Sequence, residues 1–486
     1  MTAAPTTAPS APARDLLRLP FIGVCLRWRH ARLTLQVAAL VAAAAVVLHG
    51  LLGPQIAPRN LATVVTWVHY RGLLVLALLA VGNLFCTGCP FVLVRDAARR
   101  VHVPARRWPR VLRRKWIGVA LFAAVLFVYE LYDLWSLPAA TAWLVLGYFA
   151  AALAIDVLFR GASFCKYLCP IGQFNFVAST LSPFEVTARD VAVCRTCRTA
   201  DCIRGRRAPD APTTVLRRGC ELDLFVPSKV GNLDCTFCLD CVQACPYDNV
   251  AIAARVPGAE LADDRRRSGV GRLAARPDIA ALAVLFTFGA LLNAFAMVSP
   301  AYALEAWLAR AMGATSEGPV LLAIFIATLI VLPLALLGGA AVVSWRLGGG
   351  IGSVQAIALR YALALIPLGF GLWLAHYSFH LLTGVLTIVP VVQSAAADLA
   401  GWPFLGAPLW RWVGLRPGAV FPIQIGFVLL GALGSFATAY ALAERDAPSR
   451  PAAVAVPWTI VIALLAAAAL WVLAQPMEMR AVELPG

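Results

Sequence analysis

Cys235-Thr-Phe-Cys238-Leu-Asp-Cys241-Val-Gln-Ala-Cys245-Pro246 decides how the rest of the chain is read. The spacing is C-x2-C-x2-C-x3-C-P, the run that holds a [4Fe–4S] cluster. Three closely spaced thiolates wrap one face of a cubane. The fourth, thrown outward with its proline, ligates a neighbouring cluster. A structural zinc site usually sets its two C-x2-C knuckles farther apart, so iron–sulfur is the expected chemistry.

A second set lies upstream as Cys194-x2-Cys197-x4-Cys202. Cys220 follows after 17 further residues and precedes Glu221 rather than proline. Two-cluster logic joins Cys194, Cys197 and Cys202 to Cys245, and Cys235, Cys238 and Cys241 to Cys220. Uncrossed pairing, and a single cluster beside four structural cysteines, are the alternatives.

Around these motifs the chain is membrane-like. It has 486 residues, 61% hydrophobic and 14% charged, with mean hydropathy +0.78. Soluble proteins run at about 45–50% apolar and about 25% charged. A soluble enzyme, a disordered chain and a fibrous protein are excluded. Nine apolar runs are long enough to span a bilayer, near 33–53, 62–85, 116–136, 139–160, 278–299, 318–343, 354–380, 420–442 and 453–474. The stretch 381–399, with Pro390, reads as re-entrant or interfacial. Residues 1–12, rich in Ala, Pro, Thr and Ser, read as disordered. No secretory signal is evident, because the first apolar run is of membrane-span length.

The net charge of +16 is mostly arginine flanking apolar runs, which reads as positive-inside bias. No nucleic-acid module is present, and the expected surroundings are membrane lipid. Arg14, Arg18, Arg27, Arg29 and Arg32 place the N-terminus in the cytoplasm, as nine further Lys/Arg place the loop 87–115. The loop 300–317 is nearly free of Lys and Arg and is expected outside. Counting spans puts 161–277 and the loop at Glu444–Arg450 inside and the C-terminus in the periplasm. Arg411 and Arg416 run against this bias.

The expected fold is an all-α polytopic membrane protein of about nine helices with an inserted small α+β domain carrying two [4Fe–4S] sites. Its parts are a tail over 1–32, a four-helix core over 33–160, the cytoplasmic cysteine-rich domain over 161–277 and a five-helix membrane domain over 278–486. So small a domain is hard to stabilise by its own core, and metal binding supplies the difference.

FCTGCPF at 85–91 and FCKYLCPI at 164–171 look like an internal repeat. Each follows the second span of a hairpin and ends on Cys-Pro. Cys86, Cys89, Cys165 and Cys169 thus lie at cytoplasmic span ends, where Pro90 and Pro170 stop the helices. Three readings stand: buried small hydrophobes, a redox-active dithiol set, or ligands of a third cluster. Cys25 has no assigned role.

His49, His69, His376 and His380 fall toward the outer side. His376 and His380 share one helix face. Ionisable groups within spans are candidates for function, here a quinol site, a proton relay, haem b or copper. Hydrogen-bonded interface histidines are the structural alternative. Two histidines on one helix cannot be trans ligands of a single haem. Glu130 and Asp133 near the outer end of the third run, with Asp156, Arg71 and Arg360, are further charges within spans. The GGGIG stretch at 348–352 lacks a following Lys-Ser/Thr and reads as a flexible connection.

On the two Cys-Pro motifs and the paired four-cysteine runs, the chain resembles the membrane polyferredoxins of the NapH/NosR/CcoG type over roughly 33–256. The first motif departs from the pattern, with two intervening residues where the family usually has three. The last five spans match no motif of that family. The resemblance implies electron transfer coupled to the quinone pool or to assembly of a metalloenzyme. The favoured expectation is a quinol-dehydrogenase-type subunit of the inner membrane feeding a redox partner protein. Its alternative is a maturation factor supplying electrons for a copper or haem enzyme. A transporter-like C-terminal half governed by a redox sensor is a third reading. No catalytic triad or dinucleotide fingerprint is present.

Overall fold

The computed structural model describes residues 15–28, 30–210 and 214–477. The stretch 1–12, Arg14, Arg29 and the chain beyond Met477 lie outside the described residues.

Eight helices are long and apolar enough to cross a membrane: Ala31–Leu52, Leu61–Ala98, Pro138–Leu158, Pro277–Phe295, Glu317–Leu347, Val354–Thr383, Pro417–Asp446 and Pro451–Leu473. Their outward faces carry large apolar side chains such as Trp143, Leu334 and Leu430, as a lipid-facing surface requires. The run expected over 116–136 forms a helix only over Trp116–Leu131, 16 residues. At 1.5 Å per residue that rises about 24 Å, short of the hydrocarbon thickness of about 30 Å. It ends early because the chain turns over 132–136, with Asp133 at φ +43°. It still joins the two ends of the bundle. Lys115 at its start pairs with Asp234, and Tyr129 near its end packs in a cluster with Leu134, Trp135 and Met297.

Two helices form the centre. The windows of Pro277–Phe295 and Val354–Thr383 are 78% and 83% buried, against 22% for Ala31–Leu52. The Trp373 indole donates to the Phe286 carbonyl between them at 2.8 Å. Glycines let Pro417–Asp446 approach as closely: a Cβ on Gly371 would stand 2.5 Å from the Phe427 carbonyl oxygen. Small residues at a crossing are the usual device for backbone contact in a membrane.

The stretch 381–399 ends in a short helix, Ile388–Ala400. Val391 and Ala395 pack against Val46 and Leu61. A further helix, Ser299–Met312, occupies the expected loop 300–317.

The cysteine-rich region contains two antiparallel two-stranded sheets. Phe184–Ala188 pairs with Val250–Ala254, and Arg206–Arg207 pairs with Val215–Arg217. A small core of Val186, Val226, Phe237, Val250 and Ile252 packs on the first of these sheets, and the second is exposed. The preceding segment is different: Phe174, Phe176, Val177 and Leu181 join the large core of the helical bundle.

Contacts fix which segments share a side. The Asp15 carboxylate accepts from the Leu17 and Ile252 amides and the Arg189 guanidinium. Arg32 bonds Asp240 at 3.0 Å, and Arg445 donates to the Ala262 carbonyl. The described N-terminal residues, the cysteine-rich region and the loop near Arg445 therefore lie at one end. At the other end the Ser299 amide donates to the Pro476 carbonyl at 3.3 Å. The ninth, shorter helix is needed for this parity.

Candidate redox centres

The structure brings Cys194, Cys197, Cys202 and Cys245 to the wall of one cavity, about 390 Å³ of empty space, partly open to solvent. It brings Cys220, Cys235, Cys238 and Cys241 to a second, of about 370 Å³. Val226 lines both. The short spacings make this possible because the chain turns sharply between thiols. Asp234, Phe237 and Leu239 all take positive φ within the second run, and Ala200 does so in the first. Each fourth cysteine comes from the distant run: Cys245 ends the helix Asp240–Ala244, and the Cys220 amide donates to the Cys202 carbonyl at 3.0 Å.

The sulfur atoms receive hydrogen bonds. Asn249 donates its side-chain amide to Cys194 Sγ at 3.2 Å and its backbone amide to Cys245 Sγ at 3.4 Å. The Ala200 amide donates to Cys197 Sγ at 3.4 Å and draws that thiol below its ordinary range. Elsewhere burial dominates. It pushes Cys202 and Cys220 up to about 11, and Cys238 and Cys241 well above the ordinary range. Thiols so placed become thiolates when a bound cation takes up their charge. Among the described residues no three His, Cys, Asp or Glu side chains close to the size of one metal ion. Four thiols at the wall of each cavity make an all-sulfur donor set, which suits a cluster.

The cavities are tied to the membrane bundle by polar bonds. Asn83 donates to the Cys235 carbonyl at 3.0 Å and Thr87 to the Phe237 carbonyl at 2.7 Å. Lys115 bonds Asp234 at 2.5 Å, with both side chains 2% exposed. Burial lowers the Lys115 ammonium, and Asp234 opposes that shift. Lys229, which lines the second cavity, donates to the Val186 carbonyl at 2.9 Å. Asn249, Asn83, Thr87 and Lys229 are absent from the sequence reading, because polar residues without a recurring motif carry no signal there.

The two Cys-Pro motifs also meet: Phe91, next to Cys89-Pro90, packs in one cluster with Cys165 and Cys169, and Asn175, in the helix that follows Cys169-Pro170, donates to Cys86 Sγ at 3.2 Å. The Arg95 guanidinium, 1% exposed, lies beside them and binds Asp96, Asp156 and Glu221.

The four histidines separate into two kinds. His49 Nδ1 accepts from the Leu61 amide at 3.0 Å, so Nε2 carries the proton toward Asp398, 3.1 Å away. His69 Nδ1 lies 3.1 Å from the Val64 carbonyl, and its Nε2 lies 3.4 Å from that of Val385. Both rings are engaged within the protein. His376 and His380 stack edge-on at 5.0 Å. Both are buried, and their Nε2 atoms have no hydrogen-bond partner among the described residues. Arg71 is close enough for its charge to reach both. Its guanidinium sits between three rings, 4.9 Å from Trp67, 5.1 Å from Tyr129 and 4.6 Å from Tyr377, and bonds the Tyr129 hydroxyl at 3.1 Å. Glu130 accepts from Asn293 at 2.9 Å. Arg360 is paired with Asp446. Asp156 accepts the Phe164 amide at 2.9 Å, at the cysteine-rich end.

No protein-family model and no solved structure matches the chain. Two curated proteins of Escherichia coli K12 are similar to parts of it. The "Putative electron transport protein YccM" is 33% identical over 94 residues, 19% of this chain and 22% of that protein. The ferredoxin-type protein NapH is 29% identical over 196 residues, 37% of this chain and 65% of that protein. The chain thus matches less than two thirds of either relative's length. The similarity is partial and of low identity, and it is to ferredoxin-type electron-transport proteins.

Proposed function

We propose that this chain is a membrane electron carrier linking the quinone pool to a redox partner protein on the cytoplasmic face. The carrying observation is the pair of four-cysteine cavities that share Val226 as a wall. Cys194, Cys197, Cys202 and Cys245 would hold one [4Fe–4S] cluster and Cys220, Cys235, Cys238 and Cys241 the other. When bound, each cluster supplies a one-electron step. The residues do the rest. Val226, Phe237 and Leu239 keep water from the inner site, and the amides of Asn249 and Ala200 stabilise charge on sulfur at the outer one. The open side of the outer cavity is where a partner protein would dock.

Toward the opposite side, Arg71 and the unpartnered Nε2 atoms of His376 and His380 form a quinol headgroup site in this reading. Oxidation of a quinol releases two electrons and two protons. The two imidazole nitrogens would hydrogen-bond the quinol hydroxyls, and the Arg71–Tyr129 pair would orient the ring. Quinone rather than haem is favoured, because His49 and His69 are both engaged and leave no partner histidine for a bis-histidine haem.

The test is iron and sulfide content of anaerobically purified protein, followed by mixing with a reduced quinol analogue. At least about eight irons per chain and bleaching of the cluster absorbance by quinol are expected. Zinc in place of iron, or iron that only dithionite reduces, would overturn the corresponding half of the reading.

A further inference from the structure

The two helix-end cysteine motifs are built alike. Cys89 has φ −63° and ψ 118° and opens the nine-residue helix Pro90–Ala98; Cys169 has φ −57° and ψ 112° and opens the nine-residue helix Pro170–Ala178. Cys169 Sγ caps its helix, accepting the Gly172 amide at 3.2 Å. The Asn175 side-chain amide donates to Cys86 Sγ at 3.2 Å. Buried N–H groups aimed at sulfur favour a thiolate over a thiol, since a thiol is a weak acceptor and a helix N-terminus attracts negative charge. Cys89 and Cys165 sit on the same two helix breaks, and Phe91 of the first motif packs in one cluster with Cys165 and Cys169 of the second.

We infer that Cys86, Cys89, Cys165 and Cys169 ligate a third iron–sulfur cluster at the junction of the membrane bundle and the cysteine-rich region. On binding, each thiol gives up its proton and its sulfur bonds one iron, so four protons leave as four Fe–S bonds form. The site is contiguous with the inner cavity: the segment Gly82–Gly88, which carries Cys86, supplies the Asn83 and Thr87 bonds to Cys235 and Phe237. On the bundle side, Tyr70, next to Arg71, packs on Phe85 at 5.4 Å. A one-electron relay from the Arg71 region to the inner cavity would pass here. That relay rests on the proposed function, whereas the ligation itself does not.

The experiment compares the full chain with C86S/C165S, both purified anaerobically, by iron, sulfide and Mössbauer spectroscopy. In parallel, the unmutated iron-loaded protein is alkylated without reductant and its cysteines mapped by mass spectrometry, a reading that needs no variant to fold. The expected result is about ten to twelve irons per chain, a fall to about eight in C86S/C165S, and all four cysteines blocked until iron is removed. Alkylation of these four in iron-replete protein, or their recovery as disulfides, overturns the inference and leaves the other two sites standing. About four irons in the unmutated chain, with these four cysteines blocked and the other eight alkylated, would instead remove the two-cavity reading and keep this one.

Discussion

Asn249 shows what a single polar residue does to a sulfur site. It donates to Cys194 and Cys245 while its side-chain Oδ1 accepts the Asp190 amide. Asn249→Asp removes the side-chain donor and adds negative charge, and both changes resist reduction. The outer site's midpoint potential is expected to fall by tens of mV, read by EPR-monitored redox titration with iron content unchanged. Cys238→Ser acts differently, because burial leaves its partners no solvent to replace the ligand. Loss of about four irons and a lower melting temperature are expected; unchanged iron would sink the ligand assignment. For Arg71→Leu, reduction by quinol should slow at least about tenfold, equivalent to about 1.4 kcal/mol, while dithionite reduction and iron content stay as they are. The residues around Arg71 were not legible as a group, since Trp67, Tyr129 and Tyr377 come from three separate apolar runs. His49 and His69 look like His376 and His380 in sequence. Only their partners, Asp398, the Leu61 amide and two carbonyls, distinguish them.

Among the elements, the short helix Trp116–Leu131 depends most on its anchors. It is too short to be held by lipid alone, and a buried ion pair holds its first residue: Lys115 to Asp234, backed by the Phe176 ring 4.8 Å away. Lys115→Met strands a buried carboxylate and should cost about 3–5 kcal/mol. The readout is thermal unfolding in detergent, with partial recovery in Lys115→Met/Asp234→Leu. An unchanged melting temperature in the single variant would mean that the pair is not buried. Most elements are legible as apolar runs, because a bilayer demands about 20 apolar residues per crossing. The helix Ser299–Met312 is not, since its mixed composition reads as a loop. The helix Ile388–Ala400 is seen only as an apolar stretch; its contacts with Val46 and Leu61 decide where it lies.

At the scale of the molecule, the cysteine-rich region is clamped to the bundle at several points. Asp15 and Arg32 strap the N-terminal segment across it, and Arg445 reaches it from the far half of the chain. Asp15→Ala removes an acceptor shared by two amides and Arg189. Faster proteolytic cleavage within residues 182–262 is expected, measured in membranes against the unmutated chain; equal rates would show the strap to be idle. The same contacts make a topological prediction. Reporter fusions placed before Asp15, near residue 210 and near residue 448 should all report one compartment, the cytoplasm, and a fusion after Met477 the other.

The sequence by itself determined that this is a polytopic membrane protein and that its cysteines recur in closely spaced runs. Both follow from strictly local rules: hydrocarbon thickness sets the length of a span, and cluster geometry sets the spacing of thiols. Tertiary structure alone decided the rest. It placed the two Cys-Pro motifs side by side, caged Arg71 among three rings, engaged two histidines and left two without partners. Each of these depends on residues distant in sequence meeting in a bundle, and no short-range pattern encodes which helices become neighbours.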